Sequence, residues 1–458
     1  MSGAPWLARQ GQAGPRWRCE TRAGARRMAR EEGLIRQITP WGIWVLAVNG
    51  MIGAGIFAVP AGAAAAMGGW SPLIYLVCAA LLGVIIACFA EIATRFRETG
   101  GPVLYVSTAF GRFAGYQTGM AVYATRVTAF GANVNLLVAT FGFFWADAAE
   151  GPVRIVLIAL VVGALALLNI SGARPAMQAM GALTLLKFLP LLALAGVGLF
   201  FIDPGLFPQA GDQFALPAFS AWGAAALLVI YAFVGWESAL IPAGETKNPA
   251  RAMPLGLFWA LGVVAVLYVV IQTVAVGVLP DLATSERALV DVAAVLFGPV
   301  GALFLTAGVI VSVGGNIAGT MVTAPRLTYA MAREQTLPAW FGKVDEKRHT
   351  PSHSIVFFAG LGFVLAVFGS FVWLAMISAF VRVLVYLACI AAMPRLRRIA
   401  PQAEGGFVVP WGWTIPLLAV GGSLVLLSQV GWQSIAYTGL YLAGAAALYA
   451  MMGWLKAR

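Results

Sequence analysis

Four charged side chains and two glycine clusters are the residues of this chain best placed to do chemistry. Lys187, Glu237, Arg126 and Arg382 stand inside long apolar runs, where ionisable groups mark substrate or ion pathways by default. The clusters are Asn49-Gly-Met-Ile-Gly-Ala-Gly-Ile-Phe-Ala-Val-Pro60 and Tyr231-Ala-Phe-Val-Gly-Trp-Glu-Ser-Ala-Leu-Ile-Pro-Ala-Gly-Glu245. Each interrupts an otherwise good membrane helix. A helix broken in hydrocarbon leaves N–H and C=O groups without partners, at several kcal/mol each. Free N–H groups at a half-helix N-terminus bind a carboxylate, helped by the helix dipole. Free carbonyls on a facing break accept an ammonium. Together the two breaks imply a site for a zwitterion.

The elements that must position these residues follow from composition. The 458 residues are 61% hydrophobic and 10% charged, with a mean hydropathy of +0.87. Such a chain is an all-α, polytopic membrane protein. The net charge of +11 is not gathered on a soluble face, so no nucleic-acid partner is implied. Cys19, Cys78, Cys88 and Cys389 lack paired spacing and read as apolar fillers. No metal site, cofactor or catalytic set is expected. Residues 1–38 are basic, with eight arginines against three glutamates, and read as a disordered cytoplasmic tail in which Met28 is an alternative start. An uncleaved apolar run follows directly.

A window of about 19 residues places about twelve spans, near 41–66, 71–94, 112–143, 153–170, 178–202, 219–243, 254–279, 296–331, 353–369, 371–393, 410–428 and 434–454. Of the 29 Lys and Arg, 24 fall in the tails and even-numbered connections, whereas the odd-numbered connections hold two against seven acids. By the positive-inside rule both termini of this multi-pass protein are cytoplasmic, and the short loops and compact termini read as those of a bacterial inner-membrane protein. The breaks lie in spans 1 and 6, five helices apart. Five is odd, so two five-helix repeats must be inverted in the membrane, repeat one at 41–202 and repeat two at 219–393, with two further helices at 410–454. Discontinuous helices at matching places of inverted repeats point to a midplane site in a secondary transporter.

These residues closely resemble the amino acid–polyamine–organocation transporters, from about Trp41 to the end. Gly53-Ala-Gly-Ile-Phe57 is similar to the family's helix 1 signature. Glu91-Ile-Ala-Thr-Arg-Phe with Gly100-Gly-Pro resembles its helix 2–3 connection, as does Phe110-Gly-Arg-Phe-Ala-Gly-Tyr. Phe233-Val-Gly-Trp-Glu237 with Gly244-Glu-Thr-Lys-Asn-Pro resembles the helix 6–7 pattern, and Arg326-Leu-Thr-Tyr-Ala-Met-Ala-Arg333 the helix 8–9 stretch. The resemblance implies the leucine-transporter fold, a single domain over 39–458 with ten core helices in two inverted repeats plus helices 11 and 12. It implies amino acid transport by alternating access. By position, the N–H groups of Gly53, Ala54 and Gly55 would hold the substrate carboxylate. The carbonyls of Met51, Tyr231 and Val234, beside Gly235, would receive the ammonium. Tyr231 and Asn316 stand where an exchanger of the family carries tryptophans, so this pocket is less aromatic and an arginine–agmatine role is disfavoured.

The intramembrane charges leave alternatives open. Burial disfavours a lone ammonium, so Lys187 either loads and releases a proton, as in similar proton-coupled carriers, or braces the free carbonyls of helix 1 without titrating. Pro190 frees the carbonyl of Leu186 one turn back. Glu237 either titrates during transport or gates it from within an ion pair. Arg126 lies about 14 residues into span 3, roughly 21 Å at the helical rise, near the midplane with Tyr123 and Phe130 on its face. It forms either a structural pair with Glu237 or an unpaired pocket cation that favours an anionic side chain. Arg126 follows Ala54 by 72 residues and Asn316 follows Gly235 by 81, which puts them on equivalent helices. Arg382 reads as a structural or gate residue, and His349 and His353 as solvated loop residues. Glu245, Lys247 and Arg251 would form a cytoplasmic network. The function read from the sequence is proton-coupled amino acid import by a monomer or homodimer in the lipid bilayer. The alternatives are an exchanger of the same fold, or a non-transporting receptor that would need an added signalling domain.

Overall fold

The computed structural model describes residues 37–171, 187–208, 217–345, 348 and 350–457. The readings of the tail, Met28, the Leu186 carbonyl and His349 lie outside the described residues, as does the start of the fifth span. Among the described residues the protein is all-α. Thr39 opens the first helix by accepting from the Gly42 N–H at 3.3 Å, with Pro40 at the first helical position.

The helices are α1 (Pro40–Met51), α2 (Gly55–Met67), α3 (Ser71–Ala93), α4 (Gly101–Phe110), α5 (Arg112–Phe141), α6 (Gly151–Ser171), α7 (Phe188–Gly198), α8 (Phe219–Phe233), α9 (Pro249–Val278), α10 (Ala288–Arg333), α11 (Ser352–Phe368), α12 (Phe371–Ile399), α13 (Thr414–Ser428) and α14 (Trp432–Ala457). A 3₁₀ helix, Trp236–Glu245, follows α8. Among the described residues seven stretches are long and apolar enough to cross a membrane, and shorter apolar helices accompany them. α5 is not among the seven because it turns Arg126, Asn133 and Asn135 toward the protein interior. Leu160, Leu167, Leu168 and Phe200 point outward and are mostly exposed, as lipid-facing residues must be.

Both expected breaks are present. The first span divides into α1 and α2 at residues 52–54, and the sixth into α8 and the 3₁₀ helix at 234–235. A second internal likeness joins the halves of the chain. The ten-residue α4 precedes α5 across Gly111, with φ of 92°. The first ten residues of α10 likewise precede a kink at Gly298, with φ of 67°, before its long remainder. The sequence reading left α4 as connection, because ten residues are too few to span. His353 corrects another expectation. It sits in the first turn of α11 with its ring 5.0 Å from that of Trp340, not in a solvated loop.

The end of α3 is tied to the end of α12. Glu91 is fully buried and accepts from Arg397 Nε and Nη2, each at 2.8 Å, from Arg95 Nη2 at 3.0 Å and from the Val409 N–H at 3.0 Å. Arg397 also lies over the Trp413 ring, 4.5 Å from its centroid. Removing one partner of such a pair leaves a buried charge uncompensated, at about 3–5 kcal/mol. Glu91→Gln is therefore expected to lower the apparent melting temperature of the detergent-purified protein by several degrees, followed by fluorescence-detected gel filtration after heating.

The two breaks touch each other at glycines. A Cβ on Gly50 would stand 2.3 Å from the Gly235 carbonyl oxygen, and one on Gly235 would stand 2.3 Å from that of Gly50. Gly235 also has φ of 113°, closed to most side chains. Gly55 packs equally closely on Ala232, where a Cβ would meet the Ala232 Cα at 2.4 Å. Gly235→Ala is expected to destabilise the fold by more than the roughly 1–3 kcal/mol of its backbone strain, since the clash adds to it. Gly163→Ala, on α6 with open space around it, should leave the melting temperature unchanged.

Candidate functional site

A cavity lies where the breaks cross. Its walls come from α1 and α2 (Gly50, Met51, Gly53, Ala54, Gly55), α5 (Arg126, Ala129, Asn133) and the α8 break (Tyr231, Val234, Gly235). Asn316 and Thr320 of α10 and Arg382 of α12 complete it. The nine residues expected to meet a substrate, Met51, Gly53, Ala54, Gly55, Arg126, Tyr231, Val234, Gly235 and Asn316, are all in this wall.

The backbone around each break is re-partnered in part. On the α1 side, the Lys187 ammonium donates to the Asn49 carbonyl at 3.1 Å, to Asn49 Oδ1 at 2.6 Å and to the Ile52 carbonyl at 2.6 Å. All three of its donors are used. Met51 differs from expectation. Its carbonyl accepts from the Gly53 N–H at 3.0 Å and from Tyr268 Oη at 3.0 Å, which fills both lone pairs and engages Gly53 as well. The N–H groups of Ala54 and Gly55, at the start of α2, remain in the first turn, where a helix supplies no acceptor.

On the α8 side, the Gly235 N–H would cap the Tyr231 carbonyl if the helix continued. It donates instead to Glu237 Oε2 at 2.9 Å. The Ser238 N–H, which would reach the Val234 carbonyl, bonds to Gly235 at 3.2 Å. The carbonyls of Tyr231 and Val234 are thus released from their helical donors beside the cavity. Tyr268 of α9 joins the two sides, since its hydroxyl lies 3.2 Å from the Ala232 carbonyl as well as near Met51.

Side chains extend this order across the cavity. Tyr231 Oη donates to Asn133 Oδ1 at 2.8 Å, and Asn133 Nδ2 donates to Asn316 Oδ1 at 2.8 Å. Asn316 Nδ2 faces Gly53, where a Cβ would approach it to 3.1 Å. One chain of hydrogen bonds therefore links α8, α5 and α10. The sequence reading found its ends, Tyr231 and Asn316, and missed Asn133. The signal was there, because Asn133 lies seven residues after Arg126, two helical turns along the same face.

The charges resolve differently from one expectation. Glu237 pairs with Arg382, Oε1 to Nη1 at 3.3 Å, and accepts from Tyr386 Oη at 3.2 Å. The expected Arg126–Glu237 pair is not formed: among the described residues Arg126 makes no ion pair or hydrogen bond. Arg126 and Arg382 sit on helices that both face the break, and proximity favours Arg382, which shares α12 with Tyr386. Arg382 is thereby both a structural partner of Glu237 and part of the cavity wall.

A family model described as amino acid permease matches residues 38–452. The chain is 27% identical over 413 residues to the serine/threonine exchanger SteT of Bacillus subtilis, covering 87% of this chain and 92% of that protein. It is 25% identical over 439 residues to the branched-chain amino acid permease BcaP of Lactococcus lactis, covering 89% and 92%. To the BcaP of Bacillus subtilis it is 28% identical over 442 residues, covering 88% and 90%. The match runs through both broken helices and every helix that walls the cavity. The chain belongs to the amino acid permease family of the amino acid–polyamine–organocation superfamily, and is a multi-pass membrane transporter of amino acids, not an enzyme.

Proposed function

We propose that this protein imports amino acids across the bacterial inner membrane by alternating access, with both termini cytoplasmic and a proton entering at Lys187. The observation that carries the reading is the pairing of opposite backbone ends in one cavity. The N–H groups of Ala54 and Gly55 open α2, and the carbonyls of Tyr231 and Val234 close α8. A substrate carboxylate is held by the first pair and its ammonium by the second, so the zwitterion supplies what the broken helices lack.

Coupling follows from what Lys187 touches. Its ammonium holds the end of α1 through Asn49 and Ile52, directly beside the cavity residues Gly50 and Met51. A neutral amine has two donors, not three, and no charge, so proton release loosens α1 against the rest of the bundle. Glu237, held by Arg382 and the Gly235 N–H, fixes the opposite break and serves as the gate.

A second reading, obligatory exchange, is favoured by one observation. Lys187 has an acceptor for each of its three N–H groups, the arrangement a permanently charged brace needs. An exchanger also stands among the similar proteins. In liposomes, symport predicts accumulation of radiolabelled amino acid driven by an inward proton gradient and reduced at least tenfold in Lys187→Ala. Uptake into amino-acid-loaded liposomes alone, indifferent to the gradient, assigns exchange.

A further inference from the structure

The cavity is charged, and its charge is not balanced. Arg126 and Arg382 both line it, and Glu237, the one acid paired with either among the described residues, is committed to Arg382 at 3.3 Å. Glu237 and Arg382 lie close enough to act on Arg126 electrostatically, yet neither bonds to it. A guanidinium does not shed its proton at any physiological pH, so Arg126 cannot neutralise itself. The three side chains together leave one uncompensated positive charge inside a protein enclosed by hydrocarbon, where isolated charges are costly.

A zwitterionic amino acid does not change that sum. Its carboxylate and ammonium are met by the backbone ends of α2 and α8, and Arg126 is left as it was. An amino acid with a second carboxylate brings the charge to zero. The position of Arg126 suits that group. It is on α5, and the same cavity wall carries Asn133, Asn316 and Thr320. The side-chain amides there carry N–H groups to offer a carboxylate that a guanidinium grips with two parallel N–H bonds.

We infer that the substrate is an acidic amino acid, whose side-chain carboxylate is bound by Arg126. This rests on the transport reading above. It departs from the neutral amino acids in the names of the similar proteins. The ordering of the three carboxylate and ammonium contacts also assigns a role to the hydrogen-bonded chain Tyr231–Asn133–Asn316. It fixes Asn316 with its Nδ2 facing Gly53.

The test is uptake of radiolabelled glutamate, aspartate, serine and leucine by liposomes containing the full chain, as wild type, Arg126→Gln and Arg126→Lys, each first checked for monodispersity. The expected result is that wild type carries glutamate or aspartate in preference to serine and leucine. Arg126→Gln should lose acidic uptake by about 30-fold or more, the lower end for truncating a buried charge contact. It should keep or gain neutral uptake, with Arg126→Lys between the two. Wild-type preference for serine or leucine overturns the inference while leaving amino acid transport in place. So does equal loss of all four substrates in a folded Arg126→Gln protein, which would put the α-carboxylate on Arg126. If either variant does not fold, the wild-type preference alone decides. Uptake of none of the amino acids, with or without internal amino acid or gradient, would instead overturn the transport reading and the inference with it.

Discussion

The constraint on which this structure depends is that hydrocarbon offers no hydrogen-bond partners to a broken helix. Two breaks release a set of backbone groups that the protein must satisfy or aim at something else. Side chains from three further elements satisfy most of them. Lys187 takes Asn49 and Ile52, the single hydroxyl proton of Tyr268 takes Met51 with the Ala232 carbonyl close by, and the carboxylate of Glu237 takes the Gly235 N–H. What is left over, at Ala54, Gly55, Tyr231 and Val234, faces a single cavity. The site is thus the unsatisfied remainder of a nearly complete accounting.

The same constraint explains why glycines, and not only polar side chains, are required. The breaks must lie against each other for one small molecule to meet both, and the contact of Gly50 with Gly235 leaves no room for a Cβ on either. Close approach also places the end of α1 and the start of the 3₁₀ helix under shared control. Glu237 caps the one and, through Arg382, anchors it to α12, while Lys187 holds the other from α7's leading edge. Movement of either half-helix must therefore break bonds to helices outside the crossing pair.

Much of this was legible in the sequence, because glycine and charge are rare and conspicuous inside apolar runs. The breaks and most helix positions follow from Gly50, Gly53, Gly55, Gly235 and the spacing of the spans, and Arg126 from its charge, whereas the other cavity residues came from the family resemblance. What escaped has physical reasons. Tyr268 stands in Val266-Leu-Tyr-Val-Val270, where an aromatic residue reads as core, and only the released carbonyls opposite reveal its hydroxyl's purpose. The sequence reading named Arg126 as the candidate partner of Glu237 and missed Arg382, since helical periodicity fixes a face but not which of two facing helices comes closer. Met51 was read as a ligand by resemblance to the family, and the sequence does not show that Gly53 and Tyr268 take up its carbonyl.

The Glu91 cluster has a consequence for how the chain is made. Its strongest partner, Arg397, lies 306 residues downstream. At about 5–20 residues per second of synthesis, that partner emerges roughly 15–60 s after the carboxylate. Arg95, four residues on and 3.0 Å away in the finished protein, is at hand from the start. The nascent third helix thus carries its own temporary counter-charge. Arrival of Arg397, with its two bonds to the same carboxylate, then locks the early helices to the late ones only after ten spans have been inserted.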